Sequence, residues 1–373
     1  LDSVLGQTVP PAQVIVVNDG STDRTAEILR GYGDRIEVID QENGGKSRAL
    51  NRAMPLVRGA YVWIFDDDDV ALPHNLERHL AVLEADDRLG FVYSGCSVLH
   101  THPDGRIEDR GRLSMPQPDD DEIFPRMLEQ NFMQHQGMLV RTRCYREIGP
   151  FDESLDRSQD YEMNLRLARR FPGRALDEVS FLFREHGGPR GRPGAQFAAD
   201  GRSLRWIAFS RALLPRLRAE LDLREYLPRS LGAAPLDAPR RRRALLQRAC
   251  VAARCGLWED ALADFGEALV DTLRGTPLGS PEQDLCRRAL GMFLRRDLAI
   301  EALLDNRHHV NRFGRLLVDS GNADAQRIFA AVLWRYARER LSHGRKLARA
   351  GRAFALAWQV GGARSLLPLV TPT

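Results

Sequence analysis

The apolar run Tyr61-Val62-Trp63-Ile64-Phe65 stops at four consecutive carboxylates, Asp66-Asp67-Asp68-Asp69. A buried strand that ends in like charges needs a reason, because neighbouring carboxylates repel and raise one another's pKa unless a positive charge sits among them. A divalent cation carrying a phosphate ligand supplies such a charge, and the carboxyl end of a strand in an α/β sheet is where ligands bind. The alternative is a solvated acidic loop. The next residues favour a site: Leu72-Pro73-His74-Asn75-Leu76-Glu77 sets Pro73 in the first turn of a helix, and Leu76, Leu80 and Leu83 continue at helical spacing.

The same alternation runs through the first half of the chain. Val14 to Val17 reads as a short strand, Asn18 to Asp23 as a turn rich in capping residues, and Thr25 to Leu29 as the start of a helix. Ile36 to Ile39 is a second strand, Asn43-Gly44-Gly45 a turn, Ser47 to Met54 a helix, and Tyr61 to Phe65 the third strand. This rhythm predicts a largely parallel sheet covered by helices.

Beyond about residue 200 the strand signals vanish, and Ala, Leu and Arg dominate. The expected division of the 373 residues is an α/β domain over 1–200, a helical linker region over 201–239 and an α-helical domain over 240–373. Arg240 to Arg243 reads as the solvated start of a helix. Ala249, Ala253, Gly256, Trp258, Ala261, Phe265 and Ala268 fall at helical spacing around one glycine turn. They resemble one tetratricopeptide-like hairpin, without a clean second copy; an ordinary helical hairpin fits the same pattern.

Five segments occur in order: "VIVVNDGSTDRTAEIL", "ENGGKSRALNRA", "YVWIFDDDDVALPHNLE", "IGPFDESLDRSQDYEMNLRLA" and "FLFREHGG". Together they resemble the family 2 glycosyltransferases of the GT-A fold, over roughly residues 1–190. The resemblance implies a Rossmann-like mixed sheet with helices on both faces, followed here by an all-α C-terminal region. It also implies an inverting transfer of a sugar from a nucleotide-diphosphate donor to an acceptor hydroxyl. Mg²⁺ or Mn²⁺ would neutralise the leaving diphosphate.

By the same resemblance Asp160, in Gln159-Asp160-Tyr161, is the general base at the start of a helix, with Gln159 where many relatives carry Glu. Asp68 is the metal-facing carboxylate and Asp66 lies near the ribose. A run of four leaves the register open, so that Asp67 or Asp69 can take either role. Asp19 would read the nucleobase, with Gly45 and Lys46, and also Arg48, reaching the base or phosphates. His186 would approach the metal or diphosphate, and His135 and Gln136 would line the acceptor pocket. Taken alone, each has a plainer reading: a turn Asp-Gly, an N-cap, a surface cation or a buried structural histidine.

The family begins with a strand that this chain lacks, so an N-terminally truncated domain is expected. A nucleotidyltransferase would also use paired aspartates and a metal, but needs a glycine-rich basic loop near the start that the sequence does not show. A catalytically inactive relic that binds or scaffolds through its helical tail is the other alternative. A net charge of +3 gives no argument for nucleic acid. Five cysteines without a C-x-x-C pair fit a reducing compartment. No apolar run approaches the roughly 18 residues of a membrane span. The expectation is a cytoplasmic enzyme of cell-surface or secreted glycan synthesis, open to peripheral contact at the inner membrane face or with a protein through its C-terminal helices. Its acceptor would be a glycan, a lipid-linked or a small molecule.

Overall fold

The structure is a computed structural model, and it describes residues 1–185, 202–291, 297–342 and 347–362. The chain divides into two units, Leu1–Phe209 and Ser210–Thr373.

The first unit opens with a helical turn, α1 (Asp2–Leu5), and then alternates β1 (Ile15–Asp19), α2 (Thr25–Arg30), β2 (Glu37–Gln41), α3 (Lys46–Ala53) and β3 (Tyr61–Val62). The β-branched run Ile15-Val16-Val17 suits an extended strand, and β1 pairs in parallel with β2, Val16 opposite Val38. The turn after β1 needs glycine. Gly20 has φ +75°, and a Cβ there would stand 2.7 Å from the Asn43 nitrogen.

The remaining elements are β4 (Val70–Ala71), α4 (Asn75–Ala85), β5 (Phe91–Thr101), β6 (Ile107–Arg112), α5 (Ile123–Glu129), β7 (Met138–Arg141), α6 (Thr142–Ile148), α7 (Gln159–Arg170) and β8 (Gly173–Glu185). They build, with β3, a six-stranded sheet in the order β3-β7-β5-β8-β4, with β6 paired to β5. Only β5 and β8 run parallel in it; the β3–β7, β5–β7, β4–β8 and β5–β6 pairs are antiparallel. The sheet is therefore mixed, as the fold class requires, and the expectation of a largely parallel sheet fails in this half. The alternation that suggested it ends at β3, after which β5 returns directly through the hairpin to β6. β3 is also shorter than the apolar run: Trp63, Ile64 and Phe65 leave the ladder. The helix after the acidic run starts at Asn75, with Pro73 in the preceding turn, where Asn75 N–H donates to Leu72 O at 3.1 Å. Leu76, Leu83, Leu89, Val92 and Leu139 form a buried cluster between α4 and the sheet.

The second unit is helical. From α8 (Arg202–Glu220), which straddles the boundary, it continues through α9 (Arg229–Gly232), α10 (Ala238–Arg254), α11 (Trp258–Gly266), a π-helical turn (Glu267–Thr272) and α12 (Ser280–Leu290). It ends with α13 (Leu298–Leu304), α14 (Arg307–Ser320), α15 (Ala323–Ser342) and α16 (Leu347–Gly361). α10 and α11 form the hairpin around Gly256, whose φ is +74°. Its core holds Phe265, Phe313 and Phe329 with centroids 5.0 to 5.9 Å apart, and Trp258 donates its indole N–H to Ala299 O at 2.9 Å.

The arginine run is not a solvated helix start throughout. Arg242 is buried and makes a two-pronged pair with Glu282 at 2.7 and 2.8 Å, with further bonds to Thr276 O and Pro277 O. Helical periodicity carries one residue of such a run onto the core-facing side, and there the guanidinium needs a partner. Among the described residues, no helix is long and apolar enough to cross a membrane. All five cysteines are buried.

Candidate active site

The four aspartates of the acidic run do different things. Asp66, Asp68 and Asp69 each offer an oxygen within 4.8 Å of the others, whereas Asp67 is exposed and outside this group. Asp66 pairs with the Lys46 ammonium. The Gln136 side-chain amide donates to Asp66 Oδ2 at 2.9 Å and to Asp69 Oδ2 at 2.7 Å. Asp69 is the most enclosed. Burial first, and then the neighbouring charges of Asp68 and Asp66, push its pKa up to about 6, against the backbone N–H of Arg184, which donates to it at 2.8 Å. An all-carboxylate oxygen set suits a hard divalent cation such as Mg²⁺ or Mn²⁺.

Lys46 opens α3, directly after Gly45, which has φ +83°. Asp19, the last residue of β1, sets this corner. Its two oxygens accept from the backbone N–H groups of Gly44 at 2.7 Å and Gly45 at 2.8 Å, and from the Gln41 amide at 2.7 Å. Asp19 thus ties the β2–α3 turn to the end of β1. Burial lowers the Lys46 pKa, but the carboxylates of Asp66, Asp160 and Asp68 outweigh it and hold the ammonium above the ordinary lysine range.

Asp160 lies in the first turn of α7. Entry to that helix is strained: Ser158 has φ 59°, the one non-glycine residue with positive φ among those described. The helix is pinned beside the segment after α5. Tyr161 Oη donates to Met127 O at 2.8 Å and Asn164 Nδ2 to Met133 O at 3.1 Å. Between these two fastenings, Asn131 Nδ2 donates to Asp160 Oδ2 at 3.1 Å.

His135 is buried against the Phe151 ring, with centroids 5.8 Å apart. Neither of its ring nitrogens has a hydrogen-bond partner among the described residues. The Asn164 carbonyl favours a ring N–H without completing a bond. Burial, and then the Lys46 cation, push the imidazole pKa down to about 4, despite Asp160 and Asp66 nearby. His135 is therefore neutral at neutral pH.

Asp19, Gly45, Lys46, Asp66, Asp68, His135, Gln136 and Asp160 thus meet around one lysine. Asp67 stands apart from the cluster, and His186 lies outside the described residues. Gln136 has its amide nitrogen committed to two aspartates, and its backbone oxygen accepts from the Trp63 indole at 2.7 Å. Asn131 was not singled out by sequence, and no local pattern marks it, because its partner is 29 residues away.

Residues 1–145 match the family model described as glycosyl transferase family 2. An uncharacterized glycosyltransferase of Rickettsia typhi is 32% identical over 172 residues, covering 45% of this chain and 53% of that protein. The chondroitin synthase of Pasteurella multocida is 28% identical over 190 residues, 50% of this chain and 19% of that one. The crystal structure of S. aureus TarS 1-349 in complex with UDP-GlcNAc covers 95% of this chain and 85% of its own, at 14% identity and a TM-score of 0.43. The chain spans about half the length of the first of these relatives and about a fifth of the second.

Proposed function

We propose, given that the N-terminal unit carries a glycosyl transferase family 2 domain, that this chain transfers a sugar from a nucleoside-diphosphate donor to an acceptor hydroxyl with inversion at the anomeric carbon. The observation that carries this reading is the meeting of Asp66, Asp68 and Asp160 around the Lys46 ammonium. It sets an anion-handling centre beside an available carboxylate.

In the transfer, Asp160 accepts the proton of the acceptor hydroxyl. The acceptor oxygen forms a bond to the anomeric carbon as the bond from that carbon to the phosphate oxygen breaks, and the diphosphate leaves with the electron pair. One base and one displacement suffice, so no second carboxylate is needed as a nucleophile. Lys46, released from Asp66, supplies positive charge to the diphosphate. A Mg²⁺ or Mn²⁺ ion held by Asp68 with Asp66 or Asp69 would neutralise the rest of that charge. Asp19 and Gly45 shape the donor corner, and His135 offers a neutral ring to the acceptor side. The acceptor would be a glycan, a lipid-linked or a small molecule, and the role one in cell-surface or secreted glycan synthesis; the chondroitin synthase among the relatives is in keeping with a glycan acceptor.

The test is nucleoside-diphosphate release across a panel of nucleotide sugars, with and without Mn²⁺. Wild type should release with one donor. Asp160→Asn should abolish release while sparing donor binding, and Asp68→Ala should weaken donor binding in Mn²⁺. Full turnover by both variants would refute the reading.

A further inference from the structure

Asn131 offers its side chain to Asp160 in one orientation only. Its Oδ1 accepts from the Met133 backbone N–H at 3.3 Å, and its Nδ2 donates to Asp160 Oδ2 at 3.1 Å. Turned over, the amide would set its oxygen against a carboxylate oxygen and its N–H groups against an N–H, so both neighbours fix it. The backbone flanking Asn131 is held by the same helix, through Tyr161 to Met127 O and Asn164 to Met133 O. Among the described residues, Asn131 is the one hydrogen-bond donor to the Asp160 carboxylate.

We infer that Asn131 is a positioning residue for the base, holding Asp160 Oδ2 so that Oδ1 is presented to the acceptor hydroxyl. This rests on the reading of Asp160 as the base. Two physical consequences follow. A carboxylate with one oxygen fixed loses rotation about its last torsion, so its free oxygen keeps one direction. A neutral amide also orients it without a direct ion pair. Charged donors bind carboxylates more strongly and depress their basicity further. The nearby Lys46 ammonium makes its direct ion pair with Asp66, and its charge also acts on Asp160. Asp160 is therefore held in one orientation by a neutral donor. In the step itself the proton passes from the acceptor oxygen to Asp160 Oδ1, and Asn131 keeps both of its own.

The experiment is the pH dependence of kcat/KM for the acceptor in the full chain, with donor KM and melting temperature measured in parallel. In Asn131→Ala the carboxylate loses the hydrogen bond from residue 131, and the acid limb of the profile moves up by about one pH unit. kcat falls about tenfold or more, and donor KM holds. Asn131→Asp keeps the shape and puts a second carboxylate against the first, so the acid limb moves up further. That isosteric variant decides the matter if the alanine variant fails to fold. An unmoved acid limb in a folded variant, or a fall in kcat that merely follows a lower melting temperature, overturns the role of Asn131. Transfer retained by Asp160→Asn would instead overturn the base reading beneath it.

Discussion

Asp19 Oδ2 accepts the backbone N–H of Gly45 at 2.8 Å, so the last residue of β1 fixes the first turn of α3. Its other oxygen does the same for Gly44 at 2.7 Å. Asp19→Ala should therefore act on Lys46, which follows directly. A hydrogen bond to a charged group contributes about 1.5–3 kcal/mol, and the predicted result is a roughly tenfold rise in donor KM. Kinetics at varied donor, with calorimetric binding of the nucleoside diphosphate, would check it. An unchanged KM would remove Asp19 from the donor corner.

Gln136 separates two carboxylates by donating to both. Gln136→Glu replaces two N–H donors with a third negative charge, and should destabilise the first unit by about 3 kcal/mol. Millimolar Mn²⁺ should restore part of that loss, because a cation offsets like charges. Thermal melting with and without the ion is the measurement; equal melting shifts for variant and wild type would argue against cation binding here.

Ser158 enters α7 with φ 59°. A left-handed conformation costs a non-glycine residue about 1–2 kcal/mol, partly offset by the greater backbone entropy of glycine in the unfolded chain. Ser158→Gly should raise stability by about 0.5 kcal/mol, read as a higher urea midpoint at constant m-value.

His135 makes the first unit sensitive to acid. Its folded pKa of about 4 lies below the unfolded value of 6.5. Between these values the unfolded chain binds the proton and the folded chain does not. The contribution is thus present above about pH 6.5 and is lost as pH falls towards 4, at up to about 1.4 kcal/mol per pH unit. His135→Gln should flatten the stability-versus-pH curve in that window; an identical curve would show that the ring takes up its proton without cost.

Arg242 and Glu282 form a buried pair in the second unit. Arg242→Met leaves the buried Glu282 carboxylate without its cation, with the Gly279 N–H as remaining donor at 2.8 Å, and should cost about 3–5 kcal/mol. Adding Glu282→Leu should recover most of it. Chemical denaturation of both variants tests this, and no recovery would point to the Thr276 and Pro277 carbonyls as the main partners.

The sequence was most legible where local chemistry decides the structure. Ile15 to Val17, the capping residues after Asp19 and the glycines before Lys46 mark β1, α2, β2 and α3 because each depends on its own neighbours. β8 escaped because Arg174, Asp177 and Glu178 interrupt any apolar run, and its long pairing with β5 is made by backbone. β3 was overread because Trp63 spends its indole on Gln136 O, outside the ladder. In the site, Asp66 and Asp69 stood out as carboxylates in a run. What holds them, Gln136 and the Arg184 backbone, is distant in sequence, and so is the hold of Asn131 on Asp160. Register within the acidic run was unreadable because it depends on which residue the chain turns outward, and that residue is Asp67.

The segment from Asn131 to Gln136 touches Asp160 at one end and the acidic cluster at the other. The two halves of the chemistry are consequently not modular. A chimera that imports a new helix α7, or a new acidic turn, has to carry this stretch at its present length. One inserted residue would shift the spacing of both ends at once, whereas the exposed hairpin between β5 and β6 could be lengthened freely.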